Sequence, residues 1–220
     1  FGDALSSTAD NLDPRYYQGR DSNGRVWIEV LAQRQGLTYD VSKNISYYDH
    51  NSAITVTDVK NFRAPADVTN DLFIVWVCNA DTFDVTSGFT VQNKTADTNQ
   101  FIAAINQSQT NHFQIITNLY AKGVRTLLMP NAVDISEIPA FNAGTGLTGV
   151  EHYGCVAYNA AFSNTINRAR ALCPGLKIYT PDFFSLLNNV LTNAANYGLT
   201  NALSSKGFSI DALTGIYALL

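Results

Sequence analysis

Apolar residues run almost unbroken at 72–77 (LFIVWV), 124–129 (VRTLLM) and 176–179 (LKIY), the pattern of strands covered on both faces. Between the first two runs, Phe101, Ile102, Ile105, Phe113, Ile116, Leu119 and Tyr120 recur at helical spacing and stop at Gly123, where a helix C-cap belongs. That spacing predicts a helix and hence a βαβ unit. A second helix is expected over 156–172, closed by Cys173-Pro174-Gly175. Strands alternating with helices predict an α/β domain on a parallel sheet.

Near the front, 25–36 (RVWIEVLAQRQG) places Val26, Trp27, Val30 and Leu31 on one face and predicts a short amphipathic helix ending at Gly36. Another is expected over 182–196, stopped near Gly198, whereas the Gly/Thr/Asn-rich stretch 138–148 reads as a surface loop. No linker or internal repeat divides the chain, so 1–220 is read as a single domain.

Composition narrows the function classes. The 220 residues are 46% hydrophobic, but no apolar run approaches the roughly 20 residues a membrane helix needs. A membrane-spanning protein is not expected. The net charge of -4, with no Lys/Arg cluster, lacks the footprint of a nucleic-acid binder. Only 15% of residues are charged, and Asn and Thr each outnumber Lys and Arg combined. This neutral polar surface suits an extracellular or cell-surface protein, with sequons at Asn44, Asn93 and Asn106.

Three cysteines cannot build a disulfide framework. Cys155 and Cys173 are separated by predicted helix, about 27 Å at 1.5 Å per residue, too far for a bridge. Cys78 reads as a small buried residue at a strand end. No metal-ligand spacing occurs, and no cofactor or metal is expected. His112 lies on the apolar face of its helix and reads as a core histidine, while His50 and His152 fall in polar loops with no partner legible in sequence.

Phe1-Gly2-Asp3-Ala4-Leu5-Ser6 has the form FGDSLS, and Gly19 to Trp27 (GRDSNGRVW) the form GRxSNGRVW. Together with 72–81 (LFIVWVCNAD), 177–187 (KIYTPDFFSLL) and 193–202 (NAANYGLTNA), these resemble the blocks of the SGNH, or GDSL, hydrolases. The resemblance implies a three-layer, flavodoxin-like domain with a mostly parallel sheet, helices on both faces and a cleft at the C-terminal strand ends. It puts a nucleophilic serine at position 4, where this chain has Ala4. It puts an oxyanion-hole asparagine at position 80, where this chain has Ala80, with Cys78 in place of a glycine and only Asp81 kept. Asp3 would brace the nucleophile turn or simply cap it, and Gly24 would offer an oxyanion N–H or serve as a turn glycine. Ser6 could substitute as nucleophile or cap the helix, and Asn79 could take over the missing amide. The final Asp-x-x-His block has only Asp211 and then Thr214. The family's turn follows a central strand, so a longer chain on both sides of 1–220 is expected.

Two functions follow from the resemblance. One is a secreted ester hydrolase with impaired or absent catalysis, acting on an ester, an acylated glycan or a lipid. The other is a non-catalytic extracellular carbohydrate- or lipid-binding or structural protein on the same fold. The pairs Tyr16-Tyr17, Tyr47-Tyr48 and Phe183-Phe184 could line such a site.

Overall fold

The structure is a computed structural model and describes residues 1–9, 16–22, 24–87, 94–137 and 148–197. Strands β1 (Leu72–Ile74), β2 (Thr126–Leu128) and β3 (Lys177–Tyr179) pair in parallel, with Phe73 opposite Leu127 and Leu127 opposite Ile178. The first residues extend this sheet. Gly2 forms parallel bridges to Ser46 on one side and Trp76 on the other. The Trp76 N–H donates to the Phe1 carbonyl, the Asp3 N–H to that of Trp76, and the Gly2 N–H to that of Ile45.

Across the sheet the segments therefore run Ser46, Gly2, β1, β2, β3, with the first in sequence second in space. This is a doubly wound order, and the cleft it creates lies beyond the carboxyl end of the first segment, where the winding reverses. The strands are shorter than the apolar runs because the regular ladder ends at Ile74 and Leu128. Beyond it, Val75 donates to Leu128, and Trp76 bonds both ways to the first residues, donating to Phe1 and accepting from Asp3.

Helices α1 (Trp27–Arg34), α2 (Ser52–Asn61), α3 (Cys78–Ser87), α4 (Lys94–Ala121), α5 (Thr148–Leu172) and α6 (Phe183–Thr192) cover the sheet. Alternation along the β1 chain sends Phe73 and Trp76 to opposite faces. Phe73 packs edge-on against Phe62, just past α2, with ring centroids 5.5 Å apart. Trp76 meets Trp27 of α1 at 5.4 Å and Phe183 of α6 at 4.9 Å. So α1 and α6 share one face, and α4, which packs on both α2 and α5, shares the other with them. The core between them is built from Val75, Val77, Leu127, Met129, Ile115, Ile116, Leu119, Phe162 and Ile166, all buried.

Two helices depart from the sequence expectation. Cys78 does not end a strand: it opens α3, whose polar sequence CNADTFDVTS carries no apolar stripe to announce it. Helix α2 is equally unmarked, and starts because the Asn51 side chain accepts the Ala53 and Ile54 N–H groups at 3.0 and 3.1 Å. Helix α5 begins at Thr148, before the predicted 156, with Cys155 inside it and Cys173 just past its end, and both thiols are free and buried. The expected loop 138–148 lies almost wholly outside the described residues. No helix among the described residues is long and apolar enough to cross a membrane.

Gly2 is fixed by space. A Cβ there would sit 2.7 Å from Ser6 Cβ and 2.8 Å from Ser46 Oγ. Gly2→Ala is expected to cost about 1–3 kcal/mol through overpacking, read as a loss of several degrees in Tm; an unchanged Tm would mean that the turn can move aside.

Candidate functional site

The chain leaves its sheet position at Gly2 and turns at once. The Asp3 carboxylate caps a 3-10 turn, Ala4–Ser6, by accepting the Leu5 N–H at 3.1 Å. It also accepts the Asn79 side-chain amide at 3.2 Å and the Ala80 backbone N–H, which fastens the turn to the start of α3. Ala4 and Ala80 therefore flank Asp3, and both are half-buried. Asp3 itself is 3% exposed, and burial pushes its carboxyl up to about 7 against the pull of these donors.

The other residues singled out by sequence fall into place around this turn. Ser6 is buried, and its hydroxyl accepts the Trp27 Nε1–H at 3.0 Å, tying α1 to the turn. Asn79 is committed at both ends of its amide: the nitrogen to Asp3, the oxygen to the Val133 N–H at 3.0 Å. Its amide thus links the segment after β2 to the turn, using one of its two N–H groups. Gly24 bonds locally, its N–H lying 3.3 Å from Ser22 Oγ, with open space over its Cα. Asp211 and Thr214 lie outside the described residues.

Asp81, next to Ala80, turns inward. One oxygen accepts the Ser52 N–H at 2.8 Å, and the other faces Tyr158 OH at 2.6 Å and His112 Nε2 at 3.0 Å. All three side chains are buried, with Cys78 Sγ 3.8 Å from the same His112 nitrogen. Burial, reinforced by the Asp81 charge, pushes the Tyr158 hydroxyl and the Cys78 thiol well above their ordinary values, so both keep their protons. His112 is a core histidine within a polar network beneath the cleft.

A second acid–histidine pair stands at the rim, where sequence showed none. His152 lies on α5, not in a loop, and its Nδ1 is 2.5 Å from Asp134 Oδ2. The other Asp134 oxygen accepts the Ser136 N–H and hydroxyl at 3.1 and 2.6 Å. Neighbouring Glu151 is 4% exposed, and burial together with the Asp134 charge raises its carboxyl to about 7. His50, also expected without a partner, has its Nδ1 3.4 Å from Asp58 Oδ2.

Asn131 holds the far rim. Its side-chain oxygen accepts the Phe183 and Phe184 N–H groups at 2.7 and 3.1 Å, and its amide donates to Asp182 at 2.8 Å. This fixes the first turn of α6 beside the segment after β2. Sequence offered one cue for Asp134 and Asn131: both occur in the polar stretch directly after a buried parallel strand, where α/β clefts form.

With this geometry in place, the family model described as GDSL-like Lipase/Acylhydrolase matches residues 1–211. The chain belongs to that family. Among curated proteins none matches it.

Proposed function

We propose that this member of the GDSL-like lipase and acylhydrolase family carries an ester-binding cleft whose serine route of hydrolysis is disabled. One observation carries the reading: the turn capped by Asp3 presents a methyl group at position 4, and the nearby Ser6 hydroxyl is buried against Trp27 Nε1. Acyl transfer needs a hydroxyl that can be deprotonated and can reach the carbonyl carbon. A methyl group forms no acyl-enzyme, and Ser6 would have to give up its bond to α1. The low charge and polar surface support an extracellular setting. If the protein is glycosylated, Asn106, which is exposed, is favoured over Asn44, whose amide already donates to the Ser6 carbonyl and to Thr8 Oγ1; Asn93 lies outside the described residues.

The test is direct. The unmodified chain is expected to hydrolyse p-nitrophenyl acetate no faster than a heat-denatured control and to gain no mass from a serine-directed fluorophosphonate. Stoichiometric labelling at Ser6 would overturn the reading. A second function, binding of a carbohydrate or lipid without turnover, draws on Tyr47 and Tyr48, exposed at 42% and 56% directly after the Ser46 bridge and so at the cleft end of the sheet. It predicts ligand-dependent quenching of tyrosine fluorescence that Tyr48→Ala weakens.

A further inference from the structure

Parallel sheets occur with both faces covered, yet the two faces of this one differ. Register sets Phe73, Leu127 and Ile178 side by side on the face that carries α2, α4 and α5, and there Leu127 and Ile178 are buried. The alternate positions Leu72, Ile74, Leu128 and Tyr179 point to the other side, that of α1 and α6. Leu72 is 49% and Tyr179 56% exposed, and Ile74 and Leu128 are only half-buried. Trp76, packed on Trp27 and Phe183, closes this face next to the Ala4 turn. The open part begins two residues earlier on the same strand segment, at Ile74, and so lies away from the cleft.

The two helices on that side are also incompletely covered. Helix α6, with the sequence FFSLLNNVLT, has no buried residue, and its Leu186 is 46% exposed. In α1 the buried residue is Glu29, while Trp27, Ile28, Val30 and Leu31 stay partly open. By contrast, α4 buries Ile115, Ile116 and Leu119 completely. Helices of this length owe their stability to a covered apolar face. An apolar surface that runs from two strands onto two helices marks a missing neighbour.

We propose that this face is the docking site of the chain's own segment 208–220. Residues 198–220 follow directly on α6 and its closing turn Ala194–Tyr197, and lie outside the described residues. Their sequence sets Ile210, Leu213, Ile216, Tyr217 and Leu220 on one side at helical spacing, with Asp211 and Thr214 on the other. Eleven residues from Ile210 to Leu220 span about 16 Å as a helix, enough to cross three strands whose outer members lie about 10 Å apart. The stretch from Tyr197 to Phe208 reaches up to about 35 Å when extended, so it carries the segment from the end of α6 to any part of the face. Docking there holds α6 along its length, in addition to the Asn131 bonds at its first turn, and so steadies Phe183 and Phe184 at the site.

The test uses the full chain, whose own three cysteines are buried. Tyr179→Cys is combined in turn with Ile210→Cys, Leu213→Cys, Tyr217→Cys, Asp211→Cys and Thr214→Cys, and each pair is mildly oxidised and read by non-reducing intact mass. Expected is an intrachain disulfide with at least one of the first three and with neither of the last two. Separately, Leu72→Cys should react with a maleimide about 10-fold or more slowly than Ala160→Cys, an exposed position on α5, because the label must wait for the segment to lift away. Adding Leu213→Ser and Ile216→Ser should restore the Leu72→Cys rate. Full-rate labelling of Leu72→Cys in the otherwise unmodified chain would overturn the proposal, as would protection that the two serines leave intact. Protection lost on dilution, together with a dimer in sedimentation, would assign the face to a second copy and overturn it too. The cross-links are read without the serine substitutions, so the absence of any link from the three apolar positions overturns the proposal even if those substitutions unfold the chain.

Discussion

Asp81→Ala is expected to lower the unfolding free energy by about 3–5 kcal/mol, the scale for removing one partner from a buried charged network. The size follows from what the carboxylate holds. It accepts from the Ser52 N–H at the start of α2, from Tyr158 of α5 and from His112 of α4, so three helices meet on one side chain. Alanine would leave the Ser52 N–H without its acceptor and the Tyr158 hydroxyl and His112 Nε2 with only each other, 2.9 Å apart, in a region where His112 and Tyr158 are 0% exposed. Each orphaned group costs about 1–3 kcal/mol when water cannot reach it. Urea denaturation at neutral pH reads the loss, and Tm should fall on the order of 10 °C for a domain of this size. Asp81→Asn, which keeps the shape and one acceptor oxygen, should lose less. A loss below about 1 kcal/mol for the alanine variant would show that water enters the network and takes over the carboxylate's bonds.

The parallel order of β1, β2 and β3 was legible because each is a continuous apolar run, and a strand buried on both faces needs no other mark. Helix stops at Gly36 and Gly123 were legible for a steric reason: both adopt positive φ, at +69° and +98°, where a side chain is strained. Helices α2 and α3 were not legible, since the faces they bury are largely polar, Ser52, Thr55, Val56 and Val59 in one and Asn79, Asp81, Thr82, Val85 and Thr86 in the other, so no apolar stripe marks them. Their starts are set by Asn51 and by the end of the β1 segment, and those are tertiary events.

The site divides in the same way. The turn at Asp3 and the position of Ala80 were legible only through the resemblance of 1–6 and 72–81 to the family's blocks, each a short contiguous stretch. Asp134 and His152 were not legible, since 18 positions separate them and a helix start brings them together. Asn79 illustrates the limit of reading position alone. Its place beside the strand end pointed toward the cleft, yet both halves of its amide join Asp3 to Val133. Whether an amide serves as an oxyanion donor depends on where its remaining hydrogen points once the first is bonded, and spacing does not report that.

The pH dependence of stability should carry the signature of Asp3. Its carboxyl is raised from 3.8 to about 7, with burial as the main cause and the nearby Asp81 charge adding to it. Between about pH 4 and pH 7 the native state therefore keeps a proton that the unfolded chain has released. Unfolding is then favoured as pH rises: this stabilisation is fully present below about 4 and is gone once pH passes about 7. At about 1.4 kcal/mol per unit the loss amounts to roughly 4 kcal/mol across the window. Glu151, also raised to about 7, acts in the same direction, so wild type alone cannot apportion the slope. Asp3→Asn separates them. The variant should be less stable throughout, because its side-chain NH2 would face donors that now point at Asp3, namely the Asn79 amide and the Ala80 N–H. Its stability should nevertheless fall less steeply between pH 4 and pH 7, narrowing the gap to wild type by up to about 4 kcal/mol. Urea titrations at unit steps of pH give both curves. Curves that stay parallel through the window would mean that Asp3 is ionised in the native state, held by its three donors despite its burial.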